Sequence, residues 1–70
     1  MSMSALEEQL RESACYGDQD AMTSLLQAGV NVNSANSING WTALHWACKV
    51  KSRQSYFMLL TAGVYQFTNV

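Results

Sequence analysis

Proline is missing from this sequence altogether, so no segment is forced to break or kink at a fixed φ. Cysteine is nearly as scarce: Cys15 and Cys48 are the only two, a poor basis for the disulfide framework that staples small secreted domains. Charge of either sign is thin. Four Lys+Arg against five Asp+Glu leave a net charge of −1, which projects no broad field to gather phosphates and disfavours charge-driven binding to nucleic acid or acidic membranes. The first residues, MSMSALEEQLRES, lack the basic stretch and apolar run of a secretory signal. The longest apolar run, Tyr56 to Leu60, is far too short to span a bilayer. Together these absences lead us to expect an intracellular, soluble chain with reduced thiols.

What is present is apolar. At 49% hydrophobic residues the chain has the means to build a packed core and is not a disordered tail. Its 70 residues make one small domain or a fragment of a larger one. A chain of this size buries only about 60% of the surface it exposes when unfolded, so marginal stability is expected.

Leu10–Val30 aligns without a gap on Leu44–Val64, an offset of 34 residues that superposes Leu25–Leu26 on Leu59–Leu60 and one AGV on the other. Self-similarity at such a period marks a repeat architecture. We divide the chain into residues 1–35 and 36–70, each reading as two short helices. In the first unit Ser4 and Glu7 have capping-box spacing, and Leu6, Leu10, Ala14 and Cys15 follow at helical intervals. Gly17 ends that helix, Asp18 caps the next, and Ala21, Met22, Leu25 and Leu26 form its apolar stripe up to Gly29. The Asn- and Ser-rich stretch from Val30 to Gly40 reads as extended chain ending in a tight Asn-Gly turn. In the second unit Thr42 caps a helix from Ala43 through Val50. Ser52 caps another that runs to Ala62 and stops at Gly63. Lys51 stands in the place of Gly17, where a left-handed conformation costs a non-glycine residue on the order of 1 kcal/mol.

The densest chemistry lies in NGWTALHWAC, Asn39 to Cys48. With Thr42 as cap, its hydroxyl accepts the backbone N–H of His45. His45 then occupies the position where a capping box carries Glu, so its imidazole bonds back toward Thr42. Two competing readings are weaker. His45 and Cys48 share a helix face, but zinc needs three or four ligands and only Cys15 remains to join them. A Cys–His nucleophile needs an orienting third group and an oxyanion site, and neither is visible. No metal, cofactor or catalytic residue is therefore expected, and Cys48 reads as a small buried apolar residue.

Gly40, Thr42, Leu44, His45 and Ala47 resemble the ankyrin-repeat signature Gly-x-Thr-Pro-Leu-His-x-Ala-Ala, with Ala43 in place of Pro and Cys48 in place of the second Ala. Leu59, Leu60 and Gly63 match the Leu-Leu-x-x-Gly that closes such a repeat. Leu25, Leu26, Gly29, Val32 and Asn33 match the end of a preceding one. That preceding unit carries LRESA instead of Thr-x-Leu-His and is similar to an N-terminal capping repeat. The turn before Gly40 has one extra residue, Lys51-Ser52 replaces Gly-His, and VYQFTNV replaces the usual continuation. A tetratricopeptide pair shares the 34-residue spacing but leaves Gly-x-Thr-x-Leu-His unexplained.

The resemblance implies an all-α fold, a short ankyrin-type solenoid of two stacked helix-turn-helix units joined by the Asn/Gly turn. It also implies a non-enzymatic protein-interaction module. The family binds through turn tips and inner helices, which here are Ile38, Asn39 and Trp41, then Lys49 and Val50, with Cys15 and Tyr16 as equivalents in the first unit. Trp41 and Tyr16 have the competing role of packing over neighbouring structure, and Trp46 is expected in the core. Lys49, Lys51 and Arg53 read as a solvated face. About three repeats are usually needed for independent stability, so Tyr56, Phe57, Met58 and Phe67 are expected to stay partly uncovered. The chain is then a truncated form that self-associates or leans on a partner. The alternative is a structural remnant with no dedicated partner.

Overall fold

The computed structural model describes residues 2–68; side chains are described through Val64 and at Gln66, so the expected exposure of Phe67 lies outside the described residues. Four helices follow in order: α1 (Met3–Tyr16), α2 (Gln19–Gln27), α3 (Ala43–Lys49) and α4 (Arg53–Thr68), with no strand among the described residues. α1 pairs with α2 and α3 with α4. The two hairpins stack through α1 on α3, and α2 touches α4 more lightly.

Small residues let the inner helices approach. Ala14 on α1 and Ala43 and Ala47 on α3 are fully buried where the units meet. Leu10, Met22, Leu25, Val30, Val32 and Leu59 fill the remaining core, and Leu6, Leu26, Leu44, Trp46, Met58 and Ala62 pack at its margin. Trp46 thus sits at the edge of the core rather than inside it. Met58 belongs to that edge too and, half-buried, stays partly uncovered as expected.

The turn between paired helices has the same form in both units. The Gly17 N–H donates to the Ala14 carbonyl and the Asp18 N–H to that of Ser13; 34 residues on, Lys51 donates to Cys48 and Ser52 to Ala47. This is the Schellman arrangement, which requires a left-handed residue after the helix. Gly17 takes φ 71° and Lys51 φ 58°, so the strain expected at Lys51 is present.

Three expectations are corrected. α1 begins at Met3, with Ser2 rather than Ser4 as cap: the Ser2 Oγ accepts the Ala5 N–H at 3.2 Å. Glu7 is unavailable for a capping box because its carboxylate accepts the Ser34 hydroxyl at 3.0 Å, while Arg11 donates to the same Ser34 Oγ at 3.0 Å. Cys48 is exposed, not buried. Its counterpart Ala14 is covered only because a second unit lies on it.

The third correction is at Gly63, which does not stop the helix; α4 continues to Thr68. One turn past Gly63, the Gln66 side chain donates to the Val30 carbonyl at 2.9 Å and accepts the Val32 N–H at 3.3 Å. A helix that ended at Gly63 would forfeit both bonds. Gly63 does not have positive φ, and a Cβ there would meet Val32 Cγ2 at 3.5 Å, an ordinary contact. Glycine therefore stands where a side chain fits, and lysine where glycine is wanted. Gly63→Ala and Lys51→Gly are each expected to stabilise the chain by about 0.5–1 kcal/mol, read as a rise in urea midpoint at unchanged slope.

Candidate functional site

The segment between α2 and α3 folds on its own asparagines. The Asn36 carboxamide oxygen accepts the N–H groups of Ile38 at 2.8 Å and Asn39 at 3.2 Å, and that of Asn39 accepts the Trp41 N–H at 2.9 Å. The Asn36 N–H donates to the Trp41 carbonyl and the Gly40 N–H to the Asn36 carbonyl, both at 2.8 Å. Short polar side chains that hydrogen-bond nearby backbone in this way set tight turns. Gly40, at φ 73°, delivers the chain out of the turn.

Thr42 and His45 then lock the start of α3. The His45 N–H donates to Thr42 Oγ1 at 3.4 Å, the Thr42 N–H donates to His45 Nδ1 at 2.9 Å, and Thr42 Oγ1 lies 2.9 Å from the same nitrogen. Because Nδ1 accepts from an amide, it carries no proton in this arrangement. The reciprocal clasp expected from the sequence is present, with His in the role of Glu.

On this base sits an aromatic cluster. Trp41 meets Trp46 edge to face at 4.8 Å between centroids and lies tilted against His45 at 6.0 Å. The Lys49 ammonium stands 5.4 Å from the Trp41 ring centroid. Side chains on a helix lean toward its N-terminus, so Lys49 reaches back along α3 to the ring. A cation over an indole is worth roughly 0.5–1 kcal/mol at an exposed site.

These contacts separate the six expected partner-binding residues. Ile38, 93% exposed, stands at the tip of a hydrogen-bonded turn with no burial to explain it. Asn39 is exposed, but its side chain holds the turn together. Trp41 is half-buried and already engaged, so both its roles are visible at once: it packs over α3 and presents its remaining surface beside the tip. Lys49 joins it. Tyr16, 83% exposed, and Val50 occupy equivalent places at the C-terminal ends of α1 and α3. The seven residues of α3, about 10 Å, separate Val50 from Trp41. Of the signature residues, Gly40, Thr42 and His45 build the turn and cap, Ala47 is buried, and Leu44 packs at the core margin. Cys15 is half-buried.

Charge is divided between the units. All five acidic residues fall between Glu7 and Asp20, whereas Lys49, Lys51 and Arg53 lie in the second unit. Spacing alone did not reveal the Trp41–Lys49 contact, although an aromatic before a cap and a lysine two turns later was a usable signal. Among the described residues no group of three or more His, Cys, Asp or Glu is placed to hold a metal ion, and no helix is long and apolar enough to cross a membrane.

Two stacked helical hairpins with a Thr-His clasp and a projecting Asn-rich turn define an ankyrin-type repeat pair. Residues 8–59 match the family of ankyrin repeats (many copies), and the chain belongs to that family. It is 49% identical over 57 residues to Ankyrin repeat domain-containing protein 40 of Mus musculus, and equally to that of Homo sapiens. Each alignment covers 81% of this chain and 16% of the relative, so the chain corresponds to about one-sixth of those proteins. Ankyrin repeats generally mediate protein–protein interaction and are generally not enzymes.

Proposed function

We propose that this chain is a non-enzymatic, intracellular protein-interaction module that engages its partner through the turn tip and the adjoining start of α3. The observation that supports this reading most is Ile38, a large aliphatic side chain 93% exposed on a turn whose backbone is held by two asparagines. Holding a loop in one shape before binding lowers the entropy lost on association. Beside the tip, Trp41 and Lys49 add an amphipathic aromatic and a cation, residue types suited to a partner surface with an apolar side chain flanked by acidic groups.

The test compares the proteins retained by the wild-type chain, by Trp41→Ala and by Ile38→Asp, quantified by mass spectrometry, with far-UV circular dichroism of each. We expect partner retention to fall on the order of 10- to 100-fold while helicity is kept, as at interface hot spots. Unchanged retention by both variants would move the binding surface elsewhere. A second contact is favoured by a different observation: Phe57, Leu60 and Val64 are exposed on α4, and we infer that the chain self-associates through these apolar residues.

A further inference from the structure

Asn31, Asn33, Asn36 and Asn39 lie between α2 and α3, followed in turn by Val32, Ser34, Ser37 and Gly40. An asparagine can be attacked at its carboxamide carbon by the backbone nitrogen of the next residue. Three of these side chains are primed alike, because the carboxamide oxygen accepts the N–H two residues on. Asn31 accepts from Asn33 at 3.0 Å, Asn36 from Ile38 at 2.8 Å and Asn39 from Trp41 at 2.9 Å. A donor on that oxygen stabilises the negative charge it gains during attack. The attacking nitrogen is what sets the three apart.

Val32 is buried and β-branched, and its N–H is engaged by the Gln66 carboxamide at 3.3 Å. Ser37 carries a Cβ beside its nitrogen, and the half-buried Asn36 before it has its carboxamide tied to two N–H groups. Gly40 has no side chain to shield its nitrogen, and a Cβ there would meet nothing within 4 Å. Asn39 and Gly40 are both exposed at the tip, so water reaches them. One bond holds the reaction back. The Gly40 N–H donates to the Asn36 carbonyl at 2.8 Å and must let go before attack. A single hydrogen bond in an exposed turn opens at little cost.

We propose that Asn39 is a self-modifying site, which loses its amide to become aspartate or isoaspartate, and that the isoaspartate disarms the turn tip. The Gly40 nitrogen gives up its proton to solvent and bonds to Asn39 Cγ. The Cγ–Nδ2 bond breaks, and ammonia leaves after taking up a proton in exchange. Water then opens the cyclic imide. Cleavage of the new bond leaves aspartate, whereas cleavage of the original peptide bond leaves isoaspartate, with the chain running through Cβ and Cγ. One water is consumed, one ammonia is released and nothing is oxidised. Aspartate keeps a side-chain oxygen for the Trp41 N–H. Isoaspartate withdraws it and adds a backbone carbon inside the loop that Asn36 closes with Gly40 and Trp41, so the tip must change shape.

The test incubates the whole folded chain in mildly alkaline buffer made with heavy-oxygen water. Peptide mass spectrometry with electron-transfer fragmentation then locates each product and separates aspartate from isoaspartate. We expect conversion at Asn39, with heavy oxygen incorporated, before any at Asn31, Asn33 or Asn36. Gly40→Ala, which places a methyl group beside the attacking nitrogen, slows it on the order of 10-fold. Asn39→Asp keeps the helicity and tryptophan emission of the parent, whereas the isoaspartyl chain keeps helicity but shifts the emission. Asn36 reacting first, or Asn39 reacting only in urea, would overturn the site. An isoaspartyl chain with unshifted emission would overturn its effect on the tip. Weaker partner retention by that chain rests on the turn-tip reading above. Full retention despite a shifted emission would sink that reading and leave the modification standing.

Discussion

Leu10→Ala is expected to leave the chain largely unfolded. Leu10 is 1% exposed and lies in the shared core of the two units, among Ala14, Met22, Val30 and residues of α3. Truncating a buried leucine costs about 2–5 kcal/mol, because transfer energy is lost and the cavity closes only in part. A core in a chain this short rarely supplies more than about 3–5 kcal/mol in total. One substitution is then comparable with the whole stability of the fold. Urea titration followed by circular dichroism should show the cooperative transition of the parent replaced by a shallow drift from an already disordered baseline. Leu44→Ala provides the internal control: it is the same residue one repeat later, half-buried, and should cost roughly half as much or less. Equal effects at the two positions would mean that Leu44 is as fully covered as Leu10. A sharp, unshifted transition in Leu10→Ala would show that Leu10 does not hold the shared core together.

The repeat, the helix count, the caps at Asp18 and Thr42 and the glycine turn at Gly17 were all legible because each is decided within a few residues of chain. Ser2 and Ser4 both satisfy the local rule for a cap. What separates them is Glu7, which is drawn away to Ser34 in the linker. The end of α4 is likewise decided from a distance. Gly63 has the right composition for a stop, but Gln66 finds the backbone of Val30 and Val32, more than thirty residues earlier. Cys48 shows the same limit from the other side. Its counterpart Ala14 has the same helical phase, and only the presence of a neighbouring unit makes one buried and the other exposed.

The candidate site divides in the same way. Exposure at the tip followed from the Asn-rich turn, since short polar residues satisfy such a backbone without burying it. The division of labour inside the tip did not follow. Asn39 and Ile38 are neighbours in sequence and both exposed, yet one holds the turn and the other projects from it. Trp41 is shared between packing and presentation because Lys49, eight residues on, reaches back over its ring. Nothing in helical periodicity alone foretells a pairing that begins outside the helix.

Replacing both Thr42 and His45 by Ala is expected to cost about 1.5 kcal/mol, a large effect for positions outside the core. α3 has only seven residues, too few to persist without the contacts that fix its first turn. Thr42 and His45 satisfy two of those groups between them, and the Trp41 ring rides on the turn they hold. Each single Ala variant should cost about 1 kcal/mol, and the double variant less than their sum, since either change opens the same clasp. The informative companion is His45→Glu. A carboxylate at this position accepts the Thr42 N–H as the ordinary capping box does, so the variant should retain stability to within about 0.5 kcal/mol of the parent. Thermal melts of the four variants, with Trp fluorescence reporting the Trp41–Trp46 contact, separate the possibilities. If His45→Glu were as damaging as His45→Ala, the imidazole would be needed for something a carboxylate cannot do. The clasp would then be incidental to its role.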